Sequence, residues 1–178
     1  MNVLPQLETD RLILRVPQRD DYLLLRDLVA NPEVHRFLGP RPEDPTTDMF
    51  SRALRGAGSW QLYGYGMFIV HEKGSNAFVG QMGLFHSLRG FGKGLDDAVE
   101  AAWIVARPFW GRGYAQEGMQ AALDWFDRTR EARRVACMIE PENHASVRLA
   151  QRLGFVRYDE HVFEGEAAVD LYERVRAN

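Results

Sequence analysis

The segment Trp110-Gly111-Arg112-Gly113-Tyr114-Ala115 divides two hydrophobic periods, and that change constrains most of what the chain can become. Before it, Asp97–Val105 reads as a strong strand. After it, Ala115, Met119, Ala122 and Phe126 fall four, three and four residues apart, on one face of a helix ending near Thr129. A glycine-rich turn between strand and helix aims uncommitted backbone N–H groups, and the positive end of the helix dipole, at one place. Such a junction suits a phosphate, and Arg107 and Arg112 add positive charge to it. The alternative is a tight turn whose glycines serve geometry alone. Two other phosphate patterns are excluded. A dinucleotide fingerprint needs a glycine where Gln116 stands, and a Walker loop needs Ser or Thr after its lysine, whereas Lys93 precedes Gly94. Gly90-Phe91-Gly92-Lys93-Gly94 reads instead as a hairpin loop.

Around this unit, strands are predicted at Leu12–Arg15, Met67–His71 and Ala77–Phe85, the last two as a hairpin. Helices are predicted over Asp20–Ala30 and over Thr46–Arg55, the second capped by its threonine. Asn31-Pro32 stops the first helix, and the four prolines at 32, 40, 42 and 45 predict an irregular connection. Downstream, Val135–Ile139 reads as a short buried strand. Pro141-Glu142-Asn143 opens a helix with Ser146, Leu149, Ala150 and Leu153 on its inner face and Gly154 closing it. Phe155–Phe163 and Ala167–Val175 form a terminal hairpin around Gly165. The order implies a mixed sheet with one parallel crossover near its centre.

Composition narrows the class. A length of 178 residues fits one domain, residues 1–178, and its core needs no disulfide or structural metal. The lone cysteine, Cys137, has no bridge partner and reads as a small buried hydrophobe in a reducing compartment. A net charge of −3 argues against a nucleic-acid coat. No run approaches the ~20 apolar residues of a membrane span, and the N-terminal charges come too early for a signal core. A cytoplasmic protein with neither membrane nor nucleic acid as partner is expected. The histidines at 35, 71, 86, 144 and 161 lack ligand spacing, so no metal is expected, and His144 is expected to face solvent. Glu43-Asp44, Asp96-Asp97 and Asp159-Glu160 read as solvated loop charge, and Trp103, Trp125, Phe126 and Phe155 as core.

Several motifs in order carry a family likeness. They are Leu7-Glu8-Thr9-Asp10-Arg11-Leu12-Ile13-Leu14-Arg15, Asn31-Pro32-Glu33-Val34 and Val79-Gly80-Gln81-Met82-Gly83-Leu84. Val99-Glu100-Ala101-Ala102-Trp103-Ile104-Val105 then leads into the glycine loop, followed by Asn143-His144-Ala145-Ser146 and Arg152-Leu153-Gly154-Phe155. Over essentially its whole length the chain resembles the GNAT acetyltransferase superfamily, in the branch of the RimJ and RimL protein N-terminal acetyltransferases. The resemblance implies an α/β domain of the α+β type. Its central sheet would be mixed and mostly antiparallel, flanked by helices, with a splayed strand pair at the cofactor site. It further implies acetyl-CoA as acetyl donor and an amine as acceptor. The backbone amides of Gly111, Arg112, Gly113, Tyr114 and Ala115 would hold the pyrophosphate. Ile104 and Val105 would offer backbone groups to the pantetheine arm, and Asn143 a further hydrogen bond beside its role as an N-cap. The superfamily more often has Gln or Arg where Pro108 stands, so Arg107 is displaced by one residue.

Transfer to an amine needs a base for the nucleophile and a proton for the departing thiolate. Glu100 shares a strand side with Ala102 and Ile104, and a carboxylate among such neighbours suits proton abstraction through water. The alternative is a structural pair with Arg89 or Arg134. The family's usual acid is a tyrosine where Ala150 stands, which leaves the Ser146 hydroxyl one turn earlier. That hydroxyl could instead bond the Glu142 carbonyl. The acceptor is expected from the side walled by residues 34–38, 60–65 and 86–97. It is a protein N-terminal amine or a small-molecule amine such as an amino sugar or polyamine. A non-catalytic acyl-CoA-binding module is the third reading. Monomer and homodimer both stay open.

Overall fold

Alternation buries Leu12 and Leu14 on one side of a short strand, and the same rule orders the sheet around it. In the computed structural model, which describes residues 4–164 and 168–176, eight strands form one sheet. They are β1 (Gln6–Glu8), β2 (Leu12–Arg15), β3 (Met67–Glu72), β4 (Phe78–Leu88), β5 (Asp96–Val105), β6 (Arg134–Ile139), β7 (Val156–Val162) and β8 (Ala168–Val175). The spatial order is β1-β2-β3-β4-β5-β6-β8-β7. Every neighbouring pair is antiparallel except β5 and β6, which run parallel at the predicted crossover. β1 lies outside the predicted strands, and β8 inserts between β6 and β7 rather than extending the edge. The predicted turn residue Gly165, and Ala167 at the start of the last predicted strand, lie outside the described residues.

Helices cover both faces. α1 (Asp21–Ala30), α2 (Pro32–His35) and the first half of α3 (Pro45–Tyr63) bring Leu25, Leu28, Val29, Val34 and Met49 onto Ile69. The neighbours of Ile69 on β3, Phe68 and Val70, point the other way. There they meet Met119, Ala122, Leu123 and Phe126 of α4 (Tyr114–Thr129) and Ala150 of α5 (His144–Arg152). Gly118 allows α4 its close approach, since a β-carbon there would lie 2.3 Å from the Met82 sulfur on β4.

Two helix boundaries differ from those predicted. The Asn31 side chain accepts from the Glu33 and Val34 N–H groups, and Pro32 at the first helical position is already shaped for a helix. Asn31-Pro32 therefore ends one helix and starts another, α2. α3 is capped by Asp44 rather than Thr46 and continues through Gly56 and Gly58 to Tyr63. Each interior glycine costs about 1 kcal/mol. Burial of Met49 and Trp60 offsets that cost, with Trp60 packed against Phe68 and Trp125 at ring distances of 5.0 and 5.7 Å.

Asp21, the first residue of α1, ties that helix to β2. Its carboxylate receives Arg15 Nη1 and Nη2 at 2.6 and 2.8 Å and the Gln18 N–H at 2.5 Å. Burial alone pushes this carboxyl up, but the Arg15 and Gln18 donors outweigh it and hold it below its ordinary value of 3.8. A depressed carboxyl stabilises the fold above the unfolded value and loses that contribution as pH falls through the folded one. Asp21→Asn is expected to cost about 2 kcal/mol at neutral pH in urea unfolding. The difference from wild type should shrink below about pH 4; an equal difference at pH 3 and pH 7 contradicts this role.

Candidate active site

β5 and β6 meet at one register point, Glu100 opposite Ala136. Past it they part, and Ala102–Ile104 on one side and residues 137–140 on the other become walls of a cleft of about 1110 Å³. The cleft runs from the α1–α3 face of the sheet to Asn143 and Ser146 at the start of α5. The splayed pair implied by the resemblance is this opening.

The glycine loop sits at the end of β5, after a short 3₁₀ turn over Arg107–Phe109. Gly111 and Gly113 both occupy the left-handed region, at φ of 71° and 79°, where a side chain carries strain. Gly113 is the N-cap of α4 and supplies no capping side chain, so the first-turn amides keep their capacity to hydrogen-bond. That is the condition for seating an anion. Arg112 extends beside it to Glu72 at 3.4 Å and to the Tyr114 hydroxyl at 3.0 Å. Arg107 reaches a different neighbour, Glu33 of α2 at 3.0 Å, and lies 5.0 Å from the Trp110 ring. Val105, expected to offer backbone groups in the cleft, has its carbonyl engaged by the Trp110 indole at 2.7 Å. Ile104 pairs with Gln81 on the β4 side and packs into the α1–α3 cluster.

The two expected catalytic side chains stand on opposite faces, with the opening between them. Glu100 is 3% exposed and lines the cleft on the α1–α3 side. Arg89 Nε and Nη2 donate to its two oxygens at 2.9 and 2.5 Å. Of the two arginines considered as partners, Arg89 is therefore the one, while Arg134 pairs with Glu173 at 2.7 Å. Each carboxylate oxygen can accept more than one hydrogen bond, so this pairing leaves Glu100 room for a further donor. Ser146 is on the α5 side. Asn143 caps the helix by accepting the Ser146 N–H at 3.2 Å. Among the described residues the partner of the Ser146 hydroxyl is the Trp103 indole N–H at 3.1 Å, not the Glu142 carbonyl. Because the indole only donates, the hydroxyl retains its own proton to give.

Other polar groups around the cleft have settled partners. Burial, then Tyr63 and Asp97, pushes the Tyr65 phenol up to about 12. Its hydroxyl hydrogen-bonds His86 Nδ1 at 2.8 Å, and His86 Nε2 faces Asp97 at 2.8 Å. The acidic pairs read as solvated charge are more organised than that. Asp96 accepts the Gly90 and Gly92 N–H groups at 2.5 and 2.7 Å and shapes the 90–94 loop, and Asp159 accepts Lys93 at 3.2 Å. Burial, reinforced by the Glu100 carboxylate, pushes the Cys137 thiol well above its ordinary range. It stays neutral and supplies no thiolate nucleophile. His144 is exposed, and no group of three His, Cys, Asp or Glu among the described residues could hold a metal ion. No helix among them is long and apolar enough to cross a membrane. Trp103, whose spacing reads as core, is half-buried against it; its link to Ser146 spans 43 residues and carries no local signal.

Comparison with known proteins adds the family context. The family model described as an acetyltransferase (GNAT) domain matches residues 11–156. The uncharacterised Bacillus subtilis protein YkkB is 29% identical over the full length of both chains. A solved GnaT-family acetyltransferase from Bordetella pertussis is 34% identical, covering 96% of this chain and 99% of that one, with a TM-score of 0.84. Two more distant structures share the fold. The ribosomal-protein-S5-alanine acetyltransferase of Vibrio fischeri is 16% identical, at 96% of both chains and a TM-score of 0.77. The spermidine N-acetyltransferase of Vibrio cholerae is 19% identical, at 94% and 96% and a TM-score of 0.74.

Proposed function

This chain belongs to the GNAT acetyltransferase family and is an acetyl-CoA-dependent N-acetyltransferase, and from that premise we propose that its acceptor is the N-terminal amine of a protein or peptide. The observation that carries this reading is the shape of the cleft. It passes through the sheet at the β5–β6 opening and continues as an open groove toward His35–Pro40 and α3. A groove of that extent accommodates several residues of extended chain beyond the reacting amine. Its charge does not choose between acceptors: Arg36, Arg52, Arg55 and Arg89 share its walls with Asp21, Asp48, Glu100 and Glu140, and Arg52 and Arg89 are paired with Asp48 and Glu100. The fold alone does not choose, because the Vibrio relatives named for a ribosomal protein and for spermidine share it.

In this reading the bound coenzyme supplies the thioester that carries the acetyl group, and the chain does the rest. The amides from Gly111 to Ala115 would hold the pyrophosphate; Ile104 and Asn143, which line the opening, would border the arm, while the Val105 carbonyl is taken by Trp110. Arg107 and Arg112 stand beside the loop, each paired with a glutamate, Glu33 and Glu72. Glu100 takes a proton from the amine through water on the acceptor face. Ser146, oriented by Trp103, would hydrogen-bond the departing sulfur on the other face without giving up its proton. Alignment of two bound reactants contributes up to ~7–11 kcal/mol of the acceleration, so such a hydrogen bond to a thiolate, already a stable leaving group, suffices. The expected result in a side-by-side assay is turnover of short peptides with free N-termini above that of spermidine or an amino sugar. Blocking the peptide amine should abolish it. Preference for the polyamine overturns the acceptor assignment.

A further inference from the structure

The motif from Leu7 to Arg15 has no part in the chemistry above, yet two of its polar side chains end at the glycine loop and the first turn of α4 that follows it. Arg11, just before β2, donates from Nη1 to the carbonyl of Arg112 at 2.9 Å. Its Nε and its backbone N–H bind the two oxygens of Glu117 at 2.6 and 2.9 Å. Thr9 donates its hydroxyl to the same carboxylate at 2.5 Å and accepts the Leu12 N–H at 2.9 Å, which fixes the turn. The Arg11 guanidinium lies 4.3 Å from the centre of the Tyr114 ring. This cluster joins the start of the sheet to the first turn of α4 across more than a hundred residues of sequence.

We infer that Arg11 is the positioning residue of the coenzyme loop, setting the direction of the Gly113 N–H through its hold on the Arg112 carbonyl. The inference rests on the reading that the glycine loop seats the pyrophosphate. Two physical facts carry it. First, a peptide unit is planar, with its C=O and N–H pointing opposite ways. Arg11 draws the Arg112 carbonyl to one side, so the Gly113 N–H of the same peptide is turned to the other. Gly113, at φ 79°, follows this peptide, so on that side local backbone preference restrains it weakly against flipping. An external donor supplies the missing restraint. Second, Glu117 places a negative charge in the first turn of a helix whose N-terminus is to receive an anion. The Arg11 guanidinium offsets that charge at 2.6 Å, so the coenzyme phosphates meet a neutralised carboxylate.

The positioning role separates from a merely structural one by the choice of acetyl donor. S-acetylpantetheine carries the same thioester and arm but lacks the pyrophosphate. For Arg11→Gln, kcat/KM with acetyl-CoA is expected to fall about tenfold, carried by KM, while kcat/KM with S-acetylpantetheine stays within about twofold of wild type. Retained turnover of the short donor also reports that the variant is folded. If Arg11→Gln does not fold, Arg11→Lys takes its place. It keeps one charge toward Glu117 without the fork that spans carboxylate and carbonyl, and the same selective loss is expected. An equal loss with both donors, or no loss with either, overturns the inference. Gly113→Val measured alongside tells the two failures apart. If it too leaves acetyl-CoA binding intact, the loop reading itself has failed; if it abolishes binding while the Arg11 variant does not, only the role of Arg11 has.

Discussion

Replacing Gly113 with valine is expected to weaken acetyl-CoA binding by about a hundredfold or more, the loss of two charge-assisted hydrogen bonds. The cause is conformational. Gly113 sits at φ 79°, and a branched side chain there forces the residue toward another region of backbone space. A β-carbon would lie 3.4 Å from Arg11 Nη2, on the side of the Arg11 brace, so the damage comes through the backbone and its brace. The N–H groups that converge on the phosphates would then diverge, and the helix dipole alone cannot replace them. Thermal stabilisation by acetyl-CoA reads this directly. Wild type at a hundred times its Kd should gain ~2.7 kcal/mol, and the variant should gain almost none at the same concentration. A full shift in the variant removes the loop from the coenzyme site.

Glu100→Gln is the second large effect. The substitution keeps shape and removes the ability to take up a proton, so turnover is expected to fall about a hundredfold with acetyl-CoA affinity unchanged. The Arg89 pair makes this test sharp, because the two roles of Glu100 predict different losses. If the carboxylate serves only as the partner of Arg89, removing its charge lowers the melting temperature and leaves turnover near wild type. The Arg89 side chain is 34% exposed, so water solvates the guanidinium left behind and limits the stability cost. A base role therefore gives a large kinetic loss on a small thermal one. The reverse pattern assigns Glu100 to structure.

What could be read from the chain and what could not divide along the range of the signal. The β5–loop–α4 unit was legible because the change in period and the two glycines are adjacent in sequence. Asn143 as a cap was legible for the same reason, and so was the side of the strand on which Glu100 stands. The insertion of β8 between β6 and β7 was not, since strands of similar composition do not announce their neighbours. α3 ran through two glycines because burial of Trp60, which lies beyond both of them, outweighs their propensity. The partners of Ser146 and Glu117 were hidden because Trp103, Thr9 and Arg11 reach them from distant strands and turns. Arg89 as the partner of Glu100 was one of two arginines consistent with the pattern, and pairing along the β4–β5 hairpin decided it.

The most direct test of the central claim is a stoichiometric one: wild-type protein with acetyl-CoA and a peptide bearing a free N-terminus, following thiol release and acetylated peptide together. The predicted result is one acetyl group on the peptide α-amine for each thiol released, with negligible release when the peptide is omitted. Thermal stabilisation by acetyl-CoA with no acetylated product from peptide or small amines would contradict it, leaving a protein that binds the coenzyme without transferring from it.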